Sequence, residues 1–164
     1  EESLAAPTDG LDEIVERMVA VQGAVVSGRG MAFSTALEAS LKLKEACYLH
    51  AMGLSYADLL HGPMAVVDPR TPALLMATPS GPTLGGTVAL AERARLAGAP
   101  VFGLGGGADL ARVSDVNVPV PDLPEWVSPL QLIVPAQLLT EHLARRLGLD
   151  PDVPRGLNKV TQTS

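Results

Sequence analysis

In the stretch ALEASLKLKEACYLH, Glu38, Lys42 and Glu45 are spaced by four and three residues, so on a helix they share one face. Such a row has two readings. One is a solvated ion-pair ladder. The other is a general base, because a carboxylate beside an ammonium stays ionised and can take a proton from a substrate carbon. His61, in LLHGP, raises a similar choice. Ser55 and Asp58 have the spacing of a small capping box, so YADLL reads as one helical turn that His61 ends, with Gly62 and Pro63 enforcing the stop. A helix C-terminus favours imidazolium. His61 is therefore either a plain C-capping group or a group placed to pass a proton. His50 and His142 lie within helical patterns without such a context and read as structural. Lys159, in the tail PRGLNKVT, is an ordinary ammonium if the tail is solvated. If the tail docks into a cleft, desolvation brings the lysine toward the amine form that makes a Schiff base.

Two loops could hold a ligand. SGRG follows an apolar run and precedes a helical pattern. There Gly28 and Gly30 let backbone amides turn toward a ligand, Arg29 adds charge, and Ser27, Ser34 and Thr35 offer hydroxyls near a helix N-terminus. An ordinary tight turn between strand and helix has the same spelling. TPSGPT, at residues 78–83, repeats that logic. GLGGGA, at 103–108, matches the glycine spelling of a dinucleotide fingerprint, with Asp122 as its acid, but ADLARV is too short for the usual crossover helix. No cluster has metal-ligand spacing and no G-x-S-x-G elbow is present, so neither a metal nor a cofactor is expected.

These residues need a scaffold. LDEIVERMVAVQ reads as a helix with Asp9 as its N-cap. AVVS is a short strand. Thr35 and Glu38 spell a capping box that opens a helix running to about His50. AMGLSYADLLHGP reads as a loop carrying one short helix, and AVVD as a brief strand. PALLMAT and VFGLG are buried strands. Between them Thr83 caps a helix that Gly98 stops. VSDVNVPVP suits an edge strand, since Pro119 and Pro121 cannot donate to a ladder. SPLQLIVPAQLLTEHLARRLGL is a long helix, with Ser128 at the N-cap, Pro129 at N1 and a kink expected at Pro135. Short continuous apolar strands alternating with amphipathic helices predict an α/β fold: a three-layer α/β/α sandwich with a mostly parallel sheet. Ligands in such folds bind outside the carboxyl ends of the strands. Residues 1–10 read as a linker, 11–150 as one domain and 151–164 as a tail without periodicity.

Composition narrows the classes. The 164 residues are 47% hydrophobic but only 3% aromatic, so one core of Leu, Val, Ala and Met is expected. The net charge of −6, with scattered Lys and Arg, speaks against a nucleic-acid surface. No apolar run reaches the ~20 residues of a membrane helix, and EESLAAPTDG is too acidic for a signal peptide. A lone Cys47 makes no internal disulfide, which fits a reducing cytoplasm. Opening on Glu1 rather than Met points to a piece of a longer protein.

Taken together, GRGMAFSTALEASLKLKEACYLH, HGPMAVVD and PRGLNKVT resemble the SIS (sugar isomerase) family of phosphosugar-binding domains. More narrowly, they are similar to the second SIS domain of glucosamine-6-phosphate synthase-type isomerases and their freestanding relatives. The resemblance runs from about Gly28 to Thr161. It implies a Rossmann-like or flavodoxin-like fold, a sugar phosphate as ligand and a homodimer with shared active sites. It also implies aldose–ketose isomerisation of a hexose or hexosamine 6-phosphate, in some relatives joined to loss or gain of ammonia. In that frame Glu45 moves the proton between C1 and C2, Lys42 supports it, His61 assists ring opening from the partner subunit, and Lys159 forms a Schiff base with the ketose. The family's serine-rich S-x-S-G-x-T phosphate loop is missing here, TPSGPT being the nearest, and there is no glutaminase domain. The chain is thus expected to be the C-terminal half of a two-domain protein. The competing expectation is a regulatory module that binds phosphosugars without catalysis. It would need the SGRG and TPSGPT loops but not Glu45, His61 and Lys159 as a set. A dinucleotide binder centred on Gly103, Gly105 and Asp122 is the third.

Overall fold

The computed structural model describes residues 10–156. Asp9, Lys159 and the ends of the expected linker and tail lie outside that span. Five parallel strands form one sheet: β1 (Gly23–Gly28), β2 (His50–Ser55), β3 (Ala73–Ala77), β4 (Val101–Gly105) and β5 (Val116–Val118). Their order is β2-β1-β3-β4-β5. Among the described residues six α-helices connect or flank them: α1 (Leu11–Met18), α2 (Ala32–Cys47), α3 (Tyr56–Leu60), α4 (Leu84–Leu96), α5 (Gly107–Val113) and α6 (Ser128–Arg146). The expected three-layer α/β sandwich is what forms.

The layers follow from strand alternation. Ala24, Val26, Leu74, Met76, Phe102 and Leu104 point to one face, where α1, α2 and α6 cover them. Val25, Leu75 and Val101 point to the other, under α3, α4 and α5. With both faces covered, β3 and β4 are buried at every residue, which is why they read as unbroken apolar runs. In α1, Leu11, Ile14, Val15 and Met18 fall at helical spacing and form its buried stripe. Two long-range bonds tie α2 to α6: Thr35 Oγ1 donates to Pro129 O at 3.4 Å and Cys47 Sγ to Thr140 O at 3.4 Å. His142 Nδ1 lies 3.2 Å from Asp12 Oδ1, linking α6 to α1 as a structural histidine would.

Several expectations change. HAMGLS is not a loop; it is β2, and His50 opens this strand rather than closing a helix. The helix before it stops at Cys47, because Tyr48 adopts the left-handed conformation (φ 57°) and Leu49 N–H returns to Leu43 O. That helix also starts earlier than a Thr35–Glu38 capping box allows. Met31 is at the N-cap, and Thr35 is buried a turn inside with its hydroxyl committed to α6. AVVD is not a strand. Pro63 begins a 3-10 turn through Val66, and Asp68 forms only an isolated bridge with Thr71. Ser128 is the first residue of α6 rather than its cap, Val127 taking that place. Pro135 is buried inside α6, which continues to Arg146. Thr83 does hold the N-cap position of α4, but its side chain makes no capping hydrogen bond.

The dinucleotide reading fails on geometry. The crossover helix α5 has seven residues. Gly105, Gly106 and Gly107 all have positive φ, and a Cβ on Gly105 would run into the Ala77 carbonyl, so packing explains the glycines. Asp122 accepts from Ser80 Oγ at 2.8 Å.

Candidate active site

Helix α2 carries Glu38, Lys42 and Glu45 on one face, as their spacing predicts. Lys42 Nζ donates to Glu45 Oε2 at 2.7 Å and lies 3.7 Å from Glu38 Oε1. The hydrogen bond to Glu45, opposed by desolvation and reinforced by the charges of Glu45 and Glu38, raises the lysine above its ordinary pKa. Its ammonium therefore persists through the neutral range. The pair forms one wall of a cavity of about 410 Å³; Pro151, Asp152, Val153 and Pro154 form the other. The chain just past α6 thus folds back over the Lys42–Glu45 pair.

An anchor holds that segment, one the sequence reading missed. Arg155 N–H donates to Tyr48 Oη at 2.9 Å, and the Arg155 guanidinium stacks over the Tyr48 ring at 3.8 Å from its centroid. The Arg155 backbone bond, with the guanidinium beside it, lowers the phenol below its usual pKa. Tyr48 and Arg155 are 107 residues apart, so no local pattern links them.

His61 is where its motif placed it. Ser55 Oγ accepts from Asp58 N–H at 3.2 Å and donates to Asp58 Oδ2 at 2.6 Å, and His61 is the exposed C-cap of α3. Within one chain it does not approach Glu45. Glu45 sits in the last turn of α2, beside the amino ends of the strands. His61 follows the carboxyl end of β2, and α3 packs on the opposite face of the sheet.

The SGRG loop is also at the carboxyl edge. The Arg29 guanidinium lies 4.6 Å from the centroid of the Tyr56 ring, at the start of α3, so loop and His61 share that edge. Ten residues of helix separate Thr35 from Glu45, about 15 Å at 1.5 Å per residue. The loop's hydroxyls are largely engaged or enclosed: Ser27 is fully buried, Ser34 donates to Met31 O at 2.9 Å, and Thr35 donates to α6. Gly28 is buried, while Arg29 and Gly30 are exposed. The structure therefore brings Lys42 and Glu45 together with residues 151–154. It groups Ser27, Gly28, Arg29, Gly30, Ser34 and Thr35 with His61 at the far edge, and leaves Lys159 outside the described residues. Among the described residues no group of three or more His, Cys, Asp or Glu side chains could hold a metal ion, and no helix is long and apolar enough to cross a membrane.

The chain belongs to the SIS family, and its parallel sheet covered on both faces is the fold of its structural neighbours. In sequence it is similar to glutamine–fructose-6-phosphate aminotransferase (isomerizing) of Thermococcus kodakarensis, 42% identical over 151 residues, or 92% of this chain and 25% of that protein. The chain spans about a quarter of the length of the curated relatives it matches. In structure it matches the C-terminal domain of glucosamine-fructose-6-phosphate aminotransferase from Francisella tularensis, with TM-score 0.82 and 27% identity, covering 91% of this chain and 43% of that one. It also matches glucosamine-6-phosphate deaminase from Thermotoga maritima, with TM-score 0.76 and 26% identity, covering 96% and 45%. No family profile matches the sequence.

Proposed function

We propose that this chain supplies the proton-transfer half of an active centre that interconverts an aldose and a ketose 6-phosphate, with an amino sugar on one side of the reaction in the variant that handles ammonia. The observation that carries this reading is the 2.7 Å Lys42–Glu45 pair on the wall of a cavity that Pro151–Pro154 also line. In the open-chain sugar, the Glu45 carboxylate takes a proton from the carbon beside the carbonyl and returns it to the neighbouring carbon. Lys42 orients that carboxylate and balances charge as an enediol-like intermediate forms. Lys159 follows the Tyr48–Arg155 anchor by four residues and acts as the amine that captures the ketose carbonyl. His61 assists ring opening from a second copy, because its own Glu45 is at the opposite edge and face of the sheet. Arg29 and the Gly28–Gly30 backbone share the carboxyl edge with His61; Ser34 and Thr35 are held by their bonds to Met31 O and Pro129 O, and the buried Ser27 hydroxyl has no protein partner. The proposed assembly is a homodimer with shared sites, without metal, nucleotide, nucleic-acid or membrane partners. The buried thiol of Cys47 fits a cytoplasmic setting.

The test is the complete protein containing this chain, incubated with fructose 6-phosphate and with glucosamine 6-phosphate, with and without ammonia. Formation of aldose, ketose or ammonia supports the enzyme, and Glu45→Gln should lose about 10²–10⁴-fold in turnover. Saturable binding of both sugars with no product, or fast exchange of the substrate C1 or C2 proton in Glu45→Gln, overturns it.

A further inference from the structure

The cavity beside Lys42 and Glu45 lies at the carboxyl ends of two helices. Thr35, in the first turn of α2, bonds to Pro129 at the start of α6, and Cys47, at the end of α2, bonds to Thr140 farther along α6. The two helices therefore run parallel, and both turn the negative ends of their dipoles toward the same edge.

The segment that forms the other wall is held at each joint. Pro151 and Pro154 fix their own φ. Asp152 N–H donates to Asp150 Oδ1 at 2.9 Å, and Arg155 is fastened to Tyr48. Tyr48 stands three residues beyond Glu45, so this wall and the proton-transfer pair share one foundation. Asp152, exposed at the rim, lines the cavity with Lys42 and Glu45. Among the described residues its carboxylate has no cation of its own: Arg145, which its charge reaches, bonds to Glu141, and Lys42 bonds to Glu45. The lining thus sets one ammonium, Lys42, against two carboxylates, Glu45 and Asp152, and the helix ends add to the negative side. Such a site repels a phosphate and attracts a cation.

We propose that Asp152 is a specificity residue that meets the ammonium of a 2-amino sugar and separates it from the hydroxyl of its neutral counterpart. The proposal rests on the isomerase reading for the placement of the sugar: in an amino aldose, the carbon whose proton Glu45 takes is the one that bears the nitrogen. The ammonium then lies within a bond or two of the atoms Glu45 works on, inside a cavity of about 410 Å³ whose other wall carries Asp152. The phosphate, at the far end of the sugar, points away from these carboxylates.

The probes are the open-chain polyols made by reducing glucosamine 6-phosphate and glucose 6-phosphate. They differ only in an ammonium against a hydroxyl, and without a carbonyl neither can react. Calorimetric titration of the complete protein with each gives two dissociation constants. The wild type should bind the amino polyol more tightly. In Asp152→Asn that preference should fall about fivefold, the upper end for an exposed ion pair, while the neutral polyol changes by less than about twofold. Asp152→Glu should recover most of the preference, and high salt should shrink it in the wild type. A wild type without the preference, or no binding of either polyol, overturns the proposal. So does an unchanged preference in Asp152→Asn, or an equal loss for both polyols, which would mean that the residue only shapes the segment. Turnover separates this outcome from the reading beneath it. An Asp152-dependent preference in a protein that converts neither sugar phosphate sinks the isomerisation alone; turnover without that preference sinks the role of Asp152 alone.

Discussion

Lys42 is held by two carboxylates, Glu45 at 2.7 Å and Glu38 at 3.7 Å, yet only Glu45 lines the cavity. If Lys42 serves the proton transfer through Glu45, Lys42→Met should lower kcat about tenfold or more while KM changes little, because a charge-assisted hydrogen bond is worth roughly 1.5–3 kcal/mol. A raised KM with kcat unchanged would instead mark a general binding role. Cys47 makes a different kind of statement. Burial pushes its thiol up to about 12 from an ordinary 9.0. The folded state thus keeps a proton that the unfolded state releases, so this group's contribution to stability is complete below about pH 9 and declines as pH rises from there toward 12. Cys47 should therefore resist thiol alkylation at pH 8 and react only when the chain is opened by denaturant. Rapid labelling under native conditions would show that α2 and α6 part readily at Thr140.

At the level of elements, residues 151–154 are positioned by an anchor, not by regular structure. Tyr48→Ala removes both the phenol that accepts from Arg155 N–H and the ring under its guanidinium. Trypsin should then cut after Arg155 several times faster, with little change at sites inside α4 or α6; an unchanged cleavage rate would show that the anchor does not order the segment. Nothing local announces this pair. The central strands were legible because burial on both faces leaves an unbroken apolar run. β2 was not, because it is the sheet's edge and its residues are partly exposed, with His50 and Gly53 interrupting any pattern. Gly53 has a packing reason invisible in sequence: a Cβ there would meet Ser40 Cβ of α2 at 3.0 Å. Thr35 and Glu38 have the spelling of a cap, but the hydroxyl is worth more as a bond to α6 once the helix has begun at Ala32. The Lys42–Glu45 pair was readable since helical spacing alone determines it. The separation of His61 from Glu45 was not, because it depends on which face of the sheet each helix covers.

For the whole molecule, the arrangement of His61 and Glu45 makes a distinctive demand. If sites are shared between copies, Glu45→Gln and His61→Ala variants of the complete protein should each be nearly silent, and mixing them with subunit exchange should restore about a quarter of wild-type activity, since half the dimers are mixed and each has one intact site. No recovery would mean that each subunit works alone. The tie between α2 and α6 bears on how the chain comes to be folded at all. Thr35 reaches Pro129 across 94 residues and Cys47 reaches Thr140 across 93. During synthesis α2 therefore leaves the ribosome with a greasy flank that nothing can shelter until α6 emerges, and at about 5–20 residues per second that wait lasts several seconds or more. A nascent chain paused before residue 128 would be a natural client for a holding chaperone, released once the last helix arrives.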